Sequence, residues 1–227
     1  MEGKDVGSWN FALNYYWRDW KFRAYYEHFF DDHSQMFLQY GRWKDGHIGL
    51  EITFPKNRFI DTFVYEGLGT KDQTGPMLYD SFWGKFEEQI SAKDNYYNHY
   101  LYQGWQHWGM GIGNPLLPGP IYNKNGQITF ISNRVLAHHI GFCGSPCQSL
   151  SYRMLLSYSR HWGTYDNPLN EIKKQFNSLF EVTYAPQQLK GWSFTVSGAM
   201  DRGSILGNNY GGMLVIRKQG IIKSGNK

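Results

Sequence analysis

The stretch that most constrains what this chain can become is Ser149 to Trp162, Ser-Leu-Ser-Tyr-Arg-Met-Leu-Leu-Ser-Tyr-Ser-Arg-His-Trp. Leu150, Tyr152, Met154, Leu156, Tyr158 and Trp162 alternate with Ser149, Ser151, Arg153, Ser157, Ser159 and His161; only Leu155 and Arg160 break the pattern. Side chains that alternate with period two point to opposite faces of a strand. Strands in globular sheets run about five or six residues. A strand of about ten residues or more, with aromatics at the ends of its apolar face, suits a tilted strand of a transmembrane barrel. Leu150 to Tyr158 are then expected to face lipid and Arg153 the lumen. Arg160 either snorkels at the interface or marks a bulge.

The alternation recurs. Trp9 to Trp17 sets Trp9, Phe11, Leu13, Tyr15 and Trp17 against Asn10, Ala12, Asn14 and Tyr16, and His47 to Phe54 sets Ile48, Leu50, Ile52 and Phe54 against Gly49, Glu51 and Thr53. The pattern predicts strands near 9–17, 20–30, 36–42, 47–54, 59–67, 128–142, 148–162, 175–185, 191–201 and 210–218, with turns such as Lys44-Asp45-Gly46 between them. Alternation fails over 69–127, where a short helix is expected within Ser81 to Ala92, and 163–174 reads as a polar loop. The expected fold is all-β: an antiparallel up-and-down transmembrane barrel in one domain, 1–220, with one long outer loop and a tail, 221–227. Connections fall into short turns on one side and longer loops on the other, most clearly in the C-terminal half, as in outer-membrane barrels.

Composition narrows the alternatives. Aromatics reach 18% with 26 glycines, which argues against disorder, since disordered chains are poor in aromatics. No run approaches the roughly eighteen apolar residues of a membrane helix. The net charge of +4 is spread along the chain rather than gathered into the basic face that nucleic acid requires. The opening Met-Glu-Gly-Lys-Asp lacks signal-peptide regions, so a mature form or a fragment of a longer product is expected. Cys143 and Cys147, in Cys-Gly-Ser-Pro-Cys, read as two thiols or one disulfide in a tight turn, not as a zinc site, which needs four ligands.

Arg23, Glu27, Glu51, Arg153, Glu181, Asp201 and Arg217 fall on the polar parity. They are expected to line a wet lumen, or else the solvated face of a single sheet. Tyr96, Tyr97, Tyr100, Tyr102, Trp105 and Trp108, interleaved with Asn95, Asn98, Gln103 and Gln106, supply flat rings for sugar CH groups and amides for hydroxyls. The same rings would serve as an interfacial girdle or as packing for the barrel mouth. His138 and His139 are adjacent on a strand and point apart, so they do not readily share an ion; no metal or other cofactor is expected. Ser159 with His161 is the arrangement a lipid hydrolase would use, although no Gly-x-Ser-x-Gly elbow is present. Arg134, Arg153, Arg160 and Glu181 are alternatively residues that would set the charge selectivity of a pore.

Three segments carry a family resemblance: Asn95-Tyr-Tyr-Asn-His-Tyr through Gly104-Trp105 and Trp108-Gly109 to Gly113-Asn114-Pro115-Leu116; Asn133-Arg-Val-Leu-Ala-His-His-Ile-Gly141; and Tyr158-Ser-Arg-His-Trp-Gly-Thr-Tyr165. In order and spacing they resemble the C-terminal half of the capsule-assembly outer-membrane (Wzi-like) proteins, from about residue 95 to 218. The resemblance implies a monomeric outer-membrane barrel of a Gram-negative cell, with more strands than the ten counted here. It also implies a non-enzymatic part in holding capsular or related surface polysaccharide. The expected partners are that polysaccharide and outer-membrane lipid and lipopolysaccharide. Tyr96, Tyr97, Tyr100, Tyr102, Trp105, Trp108, Arg134 and Arg160 are the residues expected to bind the sugar. A pore or lipid hydrolase on the same scaffold, and a soluble β-sandwich lectin, remain as alternatives.

Overall fold

Period-two alternation resolves into nine strands of one antiparallel sheet, each hydrogen-bonded to the next sheet strand in the chain. They are β1 (Gly7–Trp17), β2 (Trp20–Phe30), β3 (Gly46–Thr53), β4 (Thr62–Gly69), β7 (Val135–Cys147), β8 (Leu150–Gly163), β9 (Pro168–Tyr184), β10 (Trp192–Gly203) and β11 (Asn209–Lys218). A separate two-stranded ribbon, β5 (Gln106–His107) and β6 (Met110–Gly111), lies in the β4–β7 connection. The structure, a computed structural model, describes residues 7–30, 45–57, 59–72, 95–98, 106–112 and 114–220.

Several expected boundaries move. β2 pairs directly with β3, so no strand stands between them in the sheet, and 36–42 lies outside the described residues, as does the helix expected in 81–92. β7 begins at Val135 rather than 128, because Phe130 is drawn under the sheet by the connection before it. Most of 163–174 is the first part of β9, a polar segment that is strand by pairing with the end of β8. At one end of the sheet the connections are 18–19, 54–61, 148–149 and 185–191; at the other they are 31–45, 70–134, 164–167 and 204–208. The length asymmetry is thus carried by the N-terminal half, not the C-terminal half.

Cys-Gly-Ser-Pro-Cys is not a turn. It ends β7, with a register shift between Gly144 and Cys147, and Gln148-Ser149 turns the chain. Cys143 pairs with Arg153 and Cys147 with Leu150, which belong to opposite faces. Both thiols are free. Four residues of extended chain separate the two Cα atoms by roughly 13 Å, beyond the reach of a disulfide.

Directly paired residues share a face, so the registers trace each face across the sheet. Phe11, Tyr26, Ile48, Tyr65, Ile140, Leu156, Phe180, Val196 and Leu214 belong to one face. Glu27, Glu66, His139, Ser157, Asn177, Asp201 and Arg217 belong to the other. The apolar face is bare: Phe11 is 58% exposed, Leu13 71%, Val196 61% and Leu214 65%. The conventional core is small and sits on the polar side, where Leu68, Val135 and Ala137 of the sheet pack with Leu117 and Phe130 of the β4–β7 connection. The sheet is not closed, because β1 and β11 are both edges. It is curved, however, with the polar face concave: Ser8 of β1 and Ile205 and Leu206 after β10 line the same cavity.

Arg160 keeps the parity of the apolar face, pairing with Leu136 and Lys174. The irregularity comes later, between His161 and Gly163. Gly163 has φ +85°, and a Cβ there would lie 2.7 Å from both Asn167 O and Leu169 N. Only glycine fits that close approach in the left-handed region.

Candidate functional site

Two features stand out on the concave side: a cavity against the sheet and a knot of hydrogen bonds at the end with the longer connections. The cavity encloses about 950 Å³. Its floor is polar because strand alternation and register send residues of the polar face there: Glu27, His47, Glu66, His139, Ser157 and Asn177. Tyr96, Tyr97 and Leu116 to Pro118 cover it.

The floor is internally paired. His47 lies 3.5 Å from Glu66 and 4.0 Å from Glu27. The Tyr25 hydroxyl donates to Glu66, and His139 Nδ1 is 2.6 Å from Ser157 Oγ. Gly49 makes room for this arrangement, since a Cβ there would meet the Tyr25 ring at 2.0 Å. Further along the same face Arg153 pairs with Glu181 at 3.2 Å, Ser197 donates to Glu181 at 3.1 Å, and Asn177 donates to Asp201 at 2.7 Å. Arg23 stands 4.0 Å from Glu51. All seven residues expected on the polar parity share this concave face. Arg160 does not; it belongs to the convex, apolar one.

The knot joins the three segments singled out in the sequence. Asn133 is fully buried, and its Nδ2 donates to Asn95 Oδ1 at 2.6 Å and to Tyr96 O at 2.7 Å. The N–H groups of Asn133 and Arg134 both donate to Gly163 O, at 3.2 and 3.1 Å. Asn98 pairs with the Phe130 backbone through donor and acceptor, each at 2.7 Å, as a neighbouring strand would. Asp45 ties in the start of β3, its carboxylate accepting from Asp72 N at 2.9 Å and from the Tyr96 hydroxyl at 3.3 Å. The Arg134 guanidinium stacks 4.0 Å over the Tyr165 ring while its Nε donates to Lys71 O. Burial pushes the Tyr165 phenol above its ordinary pKa, and the Arg134 charge partly opposes this.

The residues expected to contact sugar separate into groups. Tyr96 is buried against Phe29, and Tyr97 packs on Phe130 at 4.8 Å; burial raises the Tyr97 pKa, opposed by the Asn114 N–H that donates to its oxygen. These two rings are part of the packing. Trp108, at the tip of the β5–β6 ribbon with φ +54°, is 86% exposed. Tyr100, Tyr102 and Trp105 lie outside the described residues. Arg134 and Arg160 stand at the rim, on Tyr165 and Trp162 respectively.

His138 and His139 take opposite faces, His138 Nδ1 lying 2.8 Å from the Tyr65 hydroxyl. Among the described residues no group of three or more His, Cys, Asp or Glu side chains is placed to hold a metal ion. Ser159 Oγ lies 2.9 Å from His161 Nε2, and Ser132 Oγ lies 3.4 Å from His161 Nδ1. All three residues are buried. Sequence reasoning missed the Asn133–Asn95 contact and the floor residues His47 and Glu66. Glu66 follows Tyr65 in a run with mixed faces, and only register assigns it to the concave side. Comparison with protein-family models, curated proteins and solved structures returns no match.

Proposed function

We propose that this chain is a non-enzymatic outer-membrane β-barrel protein of a Gram-negative cell that binds or anchors capsular or related surface polysaccharide. One observation carries the membrane half of the reading: nine consecutive strands present a largely apolar face with many large side chains exposed, its cations standing only at the two ends, while the charges along the middle of the strands gather on the other face. Water-soluble monomers rarely leave contiguous apolar patches beyond a few hundred Å² bare. Lipid is the solvent in which outward apolar and inward polar residues are both satisfied. In that setting the unpaired edges of β1 and β11 must be covered, by each other in a smaller barrel or by further strands, since open edges do not persist in hydrocarbon.

The polysaccharide half rests on the three segments that resemble capsule-assembly proteins and on their convergence in one hydrogen-bonded knot. The knot's rim offers the stacked Arg134–Tyr165 surface, and the Trp108 ring at the ribbon tip is open to solvent. Flat rings beside guanidinium and amide groups suit sugar rings and hydroxyls.

A lipid-hydrolase reading draws support from the Ser159–His161 pair. The group on His161 Nδ1 is the Ser132 hydroxyl rather than a carboxylate, and Ser159 is buried. An activated nucleophile needs a base oriented by a third group and access to substrate. The non-enzymatic reading is therefore preferred.

The test begins with membranes from expressing cells. The protein should resist carbonate or urea extraction and enter solution only with detergent; a monodisperse detergent-free protein would favour a soluble lectin. Pure protein should then retain surface polysaccharide in a co-sedimentation assay. Conductance in planar bilayers, or hydrolysis of a lipid panel, without polysaccharide retention would overturn the anchoring role.

A further inference from the structure

The convex face changes character abruptly at the end with the longer connections. Tyr158 on β8 gives way to Arg160, Phe176 on β9 to Lys174, and Met200 on β10 to Arg202. Arg160 stands directly opposite Lys174. Ser204 N donates to Lys174 O, so Arg202 lies on the diagonal from Lys174, roughly 7–8 Å away. Lys71 and Arg160 both sit over the Trp162 ring, at 5.1 and 5.4 Å. Among the described residues, none of these four cations takes part in an ion pair.

Like charges directly opposed across strands destabilise a sheet unless a counter-charge joins them. Snorkelling accounts for a lone cation at an interface, and the other end of the sheet has such cases: Arg18 over Trp17 and Lys218 over Trp192, far apart in the strand order. Three cations on adjacent strands, beside a fourth and directly beyond an apolar surface, form a different object. A ligand that matches it has several anionic groups close together above acyl chains.

We propose that Arg160, Lys174 and Arg202, with Lys71 at the side, bind the phosphates of a phosphorylated glycolipid of the surrounding leaflet. The acyl chains then lie along Leu156, Tyr158 and Phe176. This rests on the membrane-barrel reading and adds a lipid site to it, distinct from the concave face and its cavity. The phosphates accept charge-assisted hydrogen bonds from the two guanidinium groups and the ammonium, the strong class of such bonds. The attraction of Lys and Arg to an anionic leaflet adds to them.

The experiment uses detergent-purified protein and native mass spectrometry, with bisphosphorylated lipid A, its dephosphorylated counterpart and inorganic phosphate as probes. Wild type should retain the bisphosphorylated glycolipid, and the triple variant R160Q/K174Q/R202Q should hold it about tenfold more weakly or worse, as loss of several charge-assisted contacts implies. The R160K/R202K variant, which keeps the charge, should bind, as should R18Q/K218Q at the opposite rim. K174Q alone, at an exposed position, supplies a milder version should the triple variant fail to fold. Equal retention by the triple variant, equal binding of the dephosphorylated lipid, or displacement by inorganic phosphate alone would overturn the site. A protein that leaves the membrane without detergent would remove the barrel reading and this site together. A detergent-requiring protein indifferent to these substitutions would remove the site only.

Discussion

Asn133 shows how much tertiary structure one amide can fix. Its side chain joins the 95–98 segment to the start of β7, and its own N–H reaches the end of β8. Asn133→Ala leaves the buried Tyr96 carbonyl without this donor and removes one bond to the half-buried Asn95 amide oxygen; it is expected to cost about 2–4 kcal/mol, roughly 1–3 kcal/mol for the carbonyl and about 1 kcal/mol for the other bond. Unfolding by denaturant in detergent measures it. Trp108 gives the opposite expectation. Its ring touches little, so Trp108→Ala should leave stability within about 0.5 kcal/mol while weakening polysaccharide retention about three- to tenfold, the size of one aromatic contact. If retention is unchanged, Trp108 has no part in binding. The aromatic run was legible as a cluster from the sequence, but the division of labour within it was not. Tyr96, Tyr97 and Trp108 are alike in composition, and only the chain path buries the first, half-buries the second and bares the third.

The strands were legible wherever alternation was strong, because successive side chains point to an apolar face and a polar one. β8 is the clearest case: its parity holds through Arg160, the residue that looked most out of place. Boundaries were lost where polar residues are strand by pairing alone, as in the first part of β9, and where an apolar residue packs on the concave side from a connection rather than within a strand, as at Phe130. Face assignment yields a paired prediction. Leu156→Arg, in the middle of the apolar face, should cost about 2–4 kcal/mol on refolding into lipid vesicles. Arg153→Leu removes a half-exposed pair with Glu181 and should cost under about 1 kcal/mol. Equal costs would sink the assignment. Gly49 is a third element-scale case. Gly49→Ala drives a methyl group into the Tyr25 ring and breaks its bond to Glu66. A loss of about 1–3 kcal/mol, typical of overpacking, is expected in the same vesicle assay.

At the scale of the whole chain, the arrangement inverts that of a water-soluble sheet protein. Large apolar side chains cover the outside, and the small buried core lies on the polar side under a connecting segment. The all-β class was readable because period two needs no tertiary information; curvature and closure depend on register and on what meets the two edges. The ends of the sheet also differ in kind, and the cysteines stand at the compact one. Cys143 and Cys147 are free thiols on opposite faces of one strand, beside the Gln148-Ser149 turn. The protein therefore carries its own pair of topological reporters. If the compact end is periplasmic, a bulky membrane-impermeant maleimide applied to intact cells should label neither thiol. The same reagent should mark the exposed Cys147 once the outer membrane has been opened. Labelling on intact cells would mean that the chain is threaded the other way up.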